Sequence, residues 1–380
     1  MSIRRVKVLL VLAYSLIFFL FSSTAFSQHE GESHQEKEVH EEGIEKKGKN
    51  KFDAKEVIFG HVLDAHEFHF FSYKGNDGNE HHATIPLPVI LYSPQKGLSL
   101  FSSSRFGHGH ASYDGYKLVG NKIAPVDANV TVYDFSLTRN VVQMLIALSL
   151  LVIIMTSIAK KYRTGKGITT APSGLQNAVE PVIAFVRDEV AKPNLGHNYR
   201  KYMPYLLTVF FFILINNIIG LIPGTANVTG NIAFTIILGV ISFIVILLSS
   251  NKHFWGHIFN PPVPMGVKPI LVLVEFLSIF TKPFSLIIRL FANMLAGHII
   301  IICLISLIFI FGGLSTAVGW GFSPVSIAFT VFIYFIEILV VFLQAYIFTN
   351  LTAVFIGQSM EGGHDEHHED NLAPDRPVII

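Results

Sequence analysis

The residues most able to handle charge in this 380-residue chain stand inside its most apolar runs. Arg289 follows Leu286-Ile287-Ile288 and precedes Leu290-Phe291. A guanidinium in such a setting costs roughly 2.5 to 3.5 kcal/mol even on generous insertion scales. It keeps its proton under essentially all conditions, so it cannot escape that cost by neutralising and needs a carboxylate, a wet cavity or both. Asn293, four residues on, shares its helical face. His298, nine residues on, lies about 13.5 Å further along a helix and roughly half a turn round. Glu337 and Gln344, in the last apolar run, are seven apart, so they share a face at about 10.5 Å from each other. Leu290, Leu295, Val340 and Val341 keep the surroundings apolar.

Histidine and a carboxylate both gain and lose protons near neutral pH when burial and neighbours shift them, which suits a relay. Arginine holds a field or pairs transiently with an arriving anion. A fixed cation with titratable groups to one side is the pattern of a barrier between two aqueous half-paths, and its anionic counterpart need not belong to this chain. A competing reading makes Arg289 and Glu337 a static bridge between two helices. Glu275 and Lys282 lie near a helix end, where snorkelling explains them.

These groups must be held by membrane helices. Hydrophobic residues make up 51% of the chain and charged ones 14%, with 33 phenylalanines, which is too apolar for an ordinary soluble domain of this length. Spans are expected at 137–158, 202–222 and 231–248. Two longer patterns follow, 284–311 with Pro283 in its first turn and 324–356 with Ser323 as cap and Pro324 at the start, on the order of 42 and 50 Å and therefore tilted or bent. Lys160, Lys161, Arg163 and Lys166 after the first span mark its cytoplasmic end. Residues 173–192 mix apolar positions with Glu180, Arg187, Asp188 and Glu189, the pattern of a helix lying on the cytoplasmic membrane face. Pro261, Pro262, Pro264 and Pro269 predict a stiff, non-helical loop. The expected fold is an all-α polytopic membrane protein: five membrane-embedded helices, two of them long and tilted, an amphipathic cytoplasmic surface helix and an N-terminal extracytoplasmic extension.

Residues 1–27 have a basic head, a short apolar core and a small-x-small exit, the layout of a signal peptide cleaved after Ser27; an uncleaved helix is the alternative, with a core short for crossing hydrocarbon. Residues 28–50 hold almost nothing to bury and are expected to be disordered. The remainder of 28–134 forms a small periplasmic extension with short strands expected at 84–92 and 98–101, interrupted by prolines and turned by glycines. There His61, Asp64, His66 and His69 are closely spaced ligand types. If helical, they pair on two faces and either hold a divalent metal or form a wet helix face. Residues 358–380 are a His- and acid-rich cytoplasmic tail. Cys303 stands alone, which excludes a disulfide framework, and no basic patch with interleaved aromatics invites nucleic acid. No glycine loop cradles phosphate.

The run Ser285-Leu-Ile-Ile-Arg289-Leu-Phe-Ala-Asn293-Met-Leu-Ala-Gly297-His298, with Leu343-Gln344-Ala345-Tyr346-Ile347-Phe348, resembles subunit a of the F-type ATP synthase over roughly 135–357. Asn216-Asn217 through Pro223-Gly224 and the Glu180 to Glu189 segment add weaker support. The resemblance implies that Arg289 is the stator arginine opposite the carboxylates of a rotating c-subunit ring, with Asn293 and Gln344 near that contact. It also implies protons entering and leaving by offset half-channels through His298 and Glu337, peripheral-stalk b subunits as partners within the whole ATP synthase, no cofactor, and a non-enzymatic role in a bacterial inner membrane with the C-terminus cytoplasmic. Two departures stand out. Relatives commonly carry glutamate nine beyond the arginine and histidine on the last helix, the reverse of His298 and Glu337. No Asp or Glu occurs from Tyr202 through Val274, so the outer vestibule is expected to be lined differently, with His61, Asp64, His66 and His69 as its candidate lining.

Overall fold

The computed structural model describes residues 64–360 apart from 75–79, 110, 120, 128–129, 166, 168–170, 223 and 262. The expected leader, the segment 28–50, His61 and the tail beyond residue 360 lie outside the described residues. The chain forms two compact units: one takes residues up to Val142 with Gly220–Ile237 and Leu295–Glu337, the other Gln143–Ile219, Leu238–Met294 and the residues from Ile338 on.

The first unit carries eight strands among its described residues, β1 (Glu67–Lys74), β2 (Glu80–Pro86), β3 (Pro88–Ser93), β4 (Gly97–Ser102), β5 (Ser112–Tyr113), β6 (Tyr116–Val119), β7 (Lys122–Pro125) and β8 (Tyr133–Asp134). They form an antiparallel β1-β2 pair and two three-stranded sheets ordered β4-β3-β8 and β5-β6-β7. Alternation places Val89, Leu91 and Ser93 inward along β3, and Val89 and Leu91 pack with Phe106 and Tyr116 as a small core. The single run expected at 84–92 is thus two strands divided at Leu87. Asp114 and Gly115, at φ 53° and 76°, supply the two left-handed residues that a tight β5-β6 hairpin needs.

The helices are α1 (Arg139–Arg163), α2 (Leu175–Phe185), α3 (Lys192–Leu195), α4 (Tyr199–Gly220), α5 (Ile232–Ser249), α6 (Lys252–Phe259), α7 (Lys268–Leu314) and α8 (Thr316–Met360). A π-helical turn at Val186–Ala191 and a 3-10 turn at Gly196–Asn198 join α2 through α4 into one helical run. Five helical stretches are long and apolar enough to cross a membrane: α1, the α2–α4 run, α5, α7 and α8. The chain is a multi-pass membrane protein.

Two starts expected from proline are corrected. Pro283 and Pro324 do not open their helices but sit inside α7 and α8. Each removes a single backbone donor, and away from water the flanking peptide groups have no solvent to defect to, so the helix continues through. At 47 and 45 residues the two helices are about 70 Å long, well beyond the expected lengths. The proline loop is also shorter than expected: α6 precedes it, and Pro269 is already the second residue of α7.

Within the first unit α7 and α8 meet as a hairpin. A Cβ on Gly319 would stand 2.7 Å from Gly312 Cα, so the two backbones approach where only glycine fits. Phe311 meets Phe322 edge-on, and Ser326 donates its hydroxyl to the Leu304 carbonyl. Within the second unit, Gly239 of α5 leaves room for Ile287 of α7. The apolar side of the α2 region is covered by the chain itself: Phe185 packs on Phe342 and Tyr346 of α8, and Asn194 donates to Asn350 at 2.9 Å. Its polar side pairs locally, with Asp188 held by Arg187 and Lys192.

Candidate functional site

In the second unit, Leu286, Ile287, Leu290 and Met294 form the buried side of α7, and Ser285, Ile288, Arg289, Ala292 and Asn293 its exposed side. A 3.6-residue repeat divides the helix in this way. Arg289 therefore projects from the chain with the small side chains of Ser285, Ala292 and Asn293 in line with it and Ile288 beside it, and among the described residues no hydrogen bond or ion pair reaches it. Asn293 shares the exposed side as its spacing required. Gln344 does not follow it outward; it is buried on α8 beside Val341, Ala345 and Phe348. Asn216 and Asn217 are fully buried in the same unit, and Asn216 donates to the Phe212 carbonyl at 2.8 Å.

The first unit holds the titratable members. Glu337 is buried on α8, and its carboxylate lies over Gly297 of α7: a Cβ there would stand 2.9 Å from Oε1 and 3.2 Å from Cδ. His298, the next residue, is half-buried. The structure thus brings Glu337 against the Gly297-His298 step. Tyr334, one turn before Glu337, donates its hydroxyl to the carbonyl of Leu221, the residue following α4.

The expected cluster before the N-terminus of α1 is arranged differently from a helix. His61 is outside the described residues, Asp64 and Ala65 precede β1, His66 begins the turn into it, and His69 belongs to the strand. The helix-face pairing is corrected for the described members, because the aromatic-rich run Phe68, Phe70, Phe71 and Tyr73 favours a strand, which pairs with β2 through a register shift between His69 and Phe71. Among the described residues no three metal-ligating side chains come together. Asp64 instead caps α1 from a distance: Oδ1 accepts from the backbone of Asn140 at 3.2 Å and of Ala65 at 3.0 Å, while Arg139 N–H donates to the Ala65 carbonyl. His66 Nε2 donates to Asp134 Oδ2 at 2.8 Å, and Nδ1 donates to the Asn121 carbonyl at 3.2 Å. Both acceptors lack protons, so the doubly protonated imidazolium satisfies them together.

Burial works against charge on all three groups, and the outcome differs with the partner. Burial raises Asp64 above the ordinary carboxylate range despite its backbone donors and Arg139. For His66, burial is outweighed by Asp134, with Asp64 also favouring the cation, and the imidazole is raised. Asp134 is correspondingly lowered, because the His66 bond and the Ser136 backbone donor outweigh its burial.

Sequence reading missed Gly297 as a seat for a carboxylate, Tyr334 as an anchor and Asp134 as the partner of His66. For Tyr334 a signal exists, a phenol three residues from a buried acid in an apolar run. The other two depend on long-range packing that spacing does not encode.

The ATP synthase A chain family matches residues 141–357. A domain of unknown function matches residues 57–145. The chain is 46% identical over 242 residues to an ATP synthase subunit a of Chloroherpeton thalassium, covering 63% of this chain and 70% of the relative. It is 42% identical over 247 residues to that of Chlorobium phaeobacteroides strain DSM 266, with the same coverage of 63% and 70%. With that of Anaeromyxobacter dehalogenans identity is 37% over 243 residues, 62% of this chain and 60% of the relative.

Proposed function

Because the chain belongs to the ATP synthase A chain family and is homologous to ATP synthase subunit a, a non-catalytic membrane subunit with a proton-channel role, we propose that it is the stator against which a c-subunit ring turns. The single observation that carries this reading is Arg289: a permanent cation on the outward side of a membrane helix, in line with the small side chains of Ser285, Ala292 and Asn293, with no counter-charge from the described residues. Such a charge is costly in hydrocarbon, so a neighbouring chain must supply the anion. A ring of carboxylates presented one at a time satisfies that need transiently and ties each passage to rotation.

Glu337 and His298 are the proton-exchanging groups of one half-channel, and Arg289 separates it from the other. Asn293, beside Arg289, orients the arriving carboxylate, and buried Gln344 supports the helix behind that contact. The exchange of acid and imidazole relative to the common pattern alters the order of transfers and retains both kinds of group. The lysines and arginine ending α1 support a cytoplasmic position for that end in a bacterial inner membrane, with the extension periplasmic and the C-terminus cytoplasmic. The α2 segment then lies at the cytoplasmic surface, where peripheral-stalk b subunits have access.

The test is Arg289→Ala in the assembled complex. ATP-driven proton pumping is expected to be abolished while subunit content stays close to the parent; pumping at near-parental rate refutes the role.

A further inference from the structure

We infer that Tyr334 is a positioning residue for Glu337, holding α8 at the rotation and depth that keep the carboxylate over Gly297. Residues three apart on a helix are neighbours, with about 5–6 Å between their Cβ atoms, so a constraint on Tyr334 passes directly to Glu337. Its hydroxyl donates to the Leu221 carbonyl, just past the end of α4, where backbone acceptors have no partner within the helix and are costly to leave unpaired in a membrane.

The anchor point is firm. The chain folds back after α4 so that a Cβ on Gly220 would rest in ordinary contact with the Ala226 carbonyl oxygen at 3.5 Å. Asn227 accepts from the Gly230 backbone at 3.0 Å, and Asn227, Val228 and Thr229 are buried. Around Tyr334, α8 has little else to fix it: Val331, Phe332, Phe335, Ile336 and Ile338 are all exposed on this chain. Another polar tie of α8 in this unit, Ser326 to Leu304, lies eleven residues before Glu337, about 16 Å along the axis. A rotation of α8 between those points swings the carboxylate off its glycine seat, and the phenol hydroxyl prevents it.

This inference rests on the reading of Glu337 as a proton carrier, and the experiment separates the two. Tyr334→Phe keeps the ring and removes only the donor. In membranes containing the full complex, it is expected to leave subunit content unchanged, to lower ATP-driven pumping about threefold to tenfold, and to displace the pH profile. In a Glu337→Asp background, whose carboxylate is already withdrawn from the seat, the same change should cost less than in the parent. Parental rate and pH profile for Tyr334→Phe, or an equal fold loss in both backgrounds, overturns the positioning role alone. Parental pumping by Glu337→Gln overturns the proton-carrier reading and this inference with it.

Discussion

Replacing Gly297 by alanine puts a methyl carbon 2.9 Å from Glu337 Oε1 and 3.2 Å from its Cδ. Non-bonded carbon contacts settle near 3.5 to 4.0 Å, so the carboxylate must withdraw by roughly half an ångström. The atoms that yield are the far end of a flexible side chain, so the strain is small. Alanine in a helix interior also returns about 1 kcal/mol over glycine, against overpacking of about 1 kcal/mol at the low end of its range. Assembly should therefore match the parent. Transfer between positioned groups is far less forgiving, since a displacement near 1 Å costs on the order of 100-fold, and half of that corresponds to about tenfold. The assay is ATP-driven acidification of inverted membrane vesicles, normalised to complex content, from mildly acidic to alkaline pH. Gly297→Ala should lose about tenfold, and Gly297→Val, with two more carbons at the same point, should lose more. A Gly297→Ala complex that pumps at parental rate across the whole pH range would show that Glu337 does not work from this seat.

In the extension, His66 has a raised pKa, so its contribution to stability is full below about pH 6.5 and fades as pH rises through the folded value. Asp134, being lowered, contributes fully above about pH 4 and fades as pH falls through its own folded value. Asp64, raised by burial, loses stability as pH climbs from its ordinary value to its folded one. Protection of the β8 and β3 amides from hydrogen exchange, relative to the intrinsic rate at each pH, should therefore be greatest in mild acid, and His66→Gln should remove the loss on the alkaline side; an unchanged alkaline limb would be the contrary result. Asp64→Ala should cost about 1–2 kcal/mol through the lost cap, visible as faster exchange at Ala65 and Asn140, whereas unchanged exchange would show the cap to be idle. Gly357→Ala drives a methyl carbon to 2.1 Å from the Asn194 carbonyl oxygen, which is backbone and cannot swing away. The expected result is about 1–3 kcal/mol of destabilisation and reduced complex abundance, and parental abundance would contradict it.

The helical frame was legible because apolar runs of this length admit few alternatives: α4 and α5 lie within three residues of their expected ends, and α1 starts two residues late and runs five residues further than expected. Prolines misled the reading of α7 and α8, since the rules that stop a helix at proline are drawn mostly from water, where freed peptide groups find other partners. Arg289 and Asn293 were placed on one side from spacing alone. That Arg289 points away from its own chain was not legible, because periodicity divides a helix into sides without saying which side meets the rest of the fold. Gln344 shows the same limit from the other direction, being buried where a contact with the arginine's partner was expected. The strands of the extension were partly visible in the alternation of β3. The bond between His66 and Asp134, 68 residues apart, has no local signature.

The stripe of α7 in line with its charge is low, with Ser285, Ala292 and Asn293 rising little above the backbone while Ile288 stands up beside it. For any helix gliding past, such a track offers one electrostatic stop and few mechanical ones. Large side chains there would act as brakes, slowing each step through friction even where the guanidinium is intact.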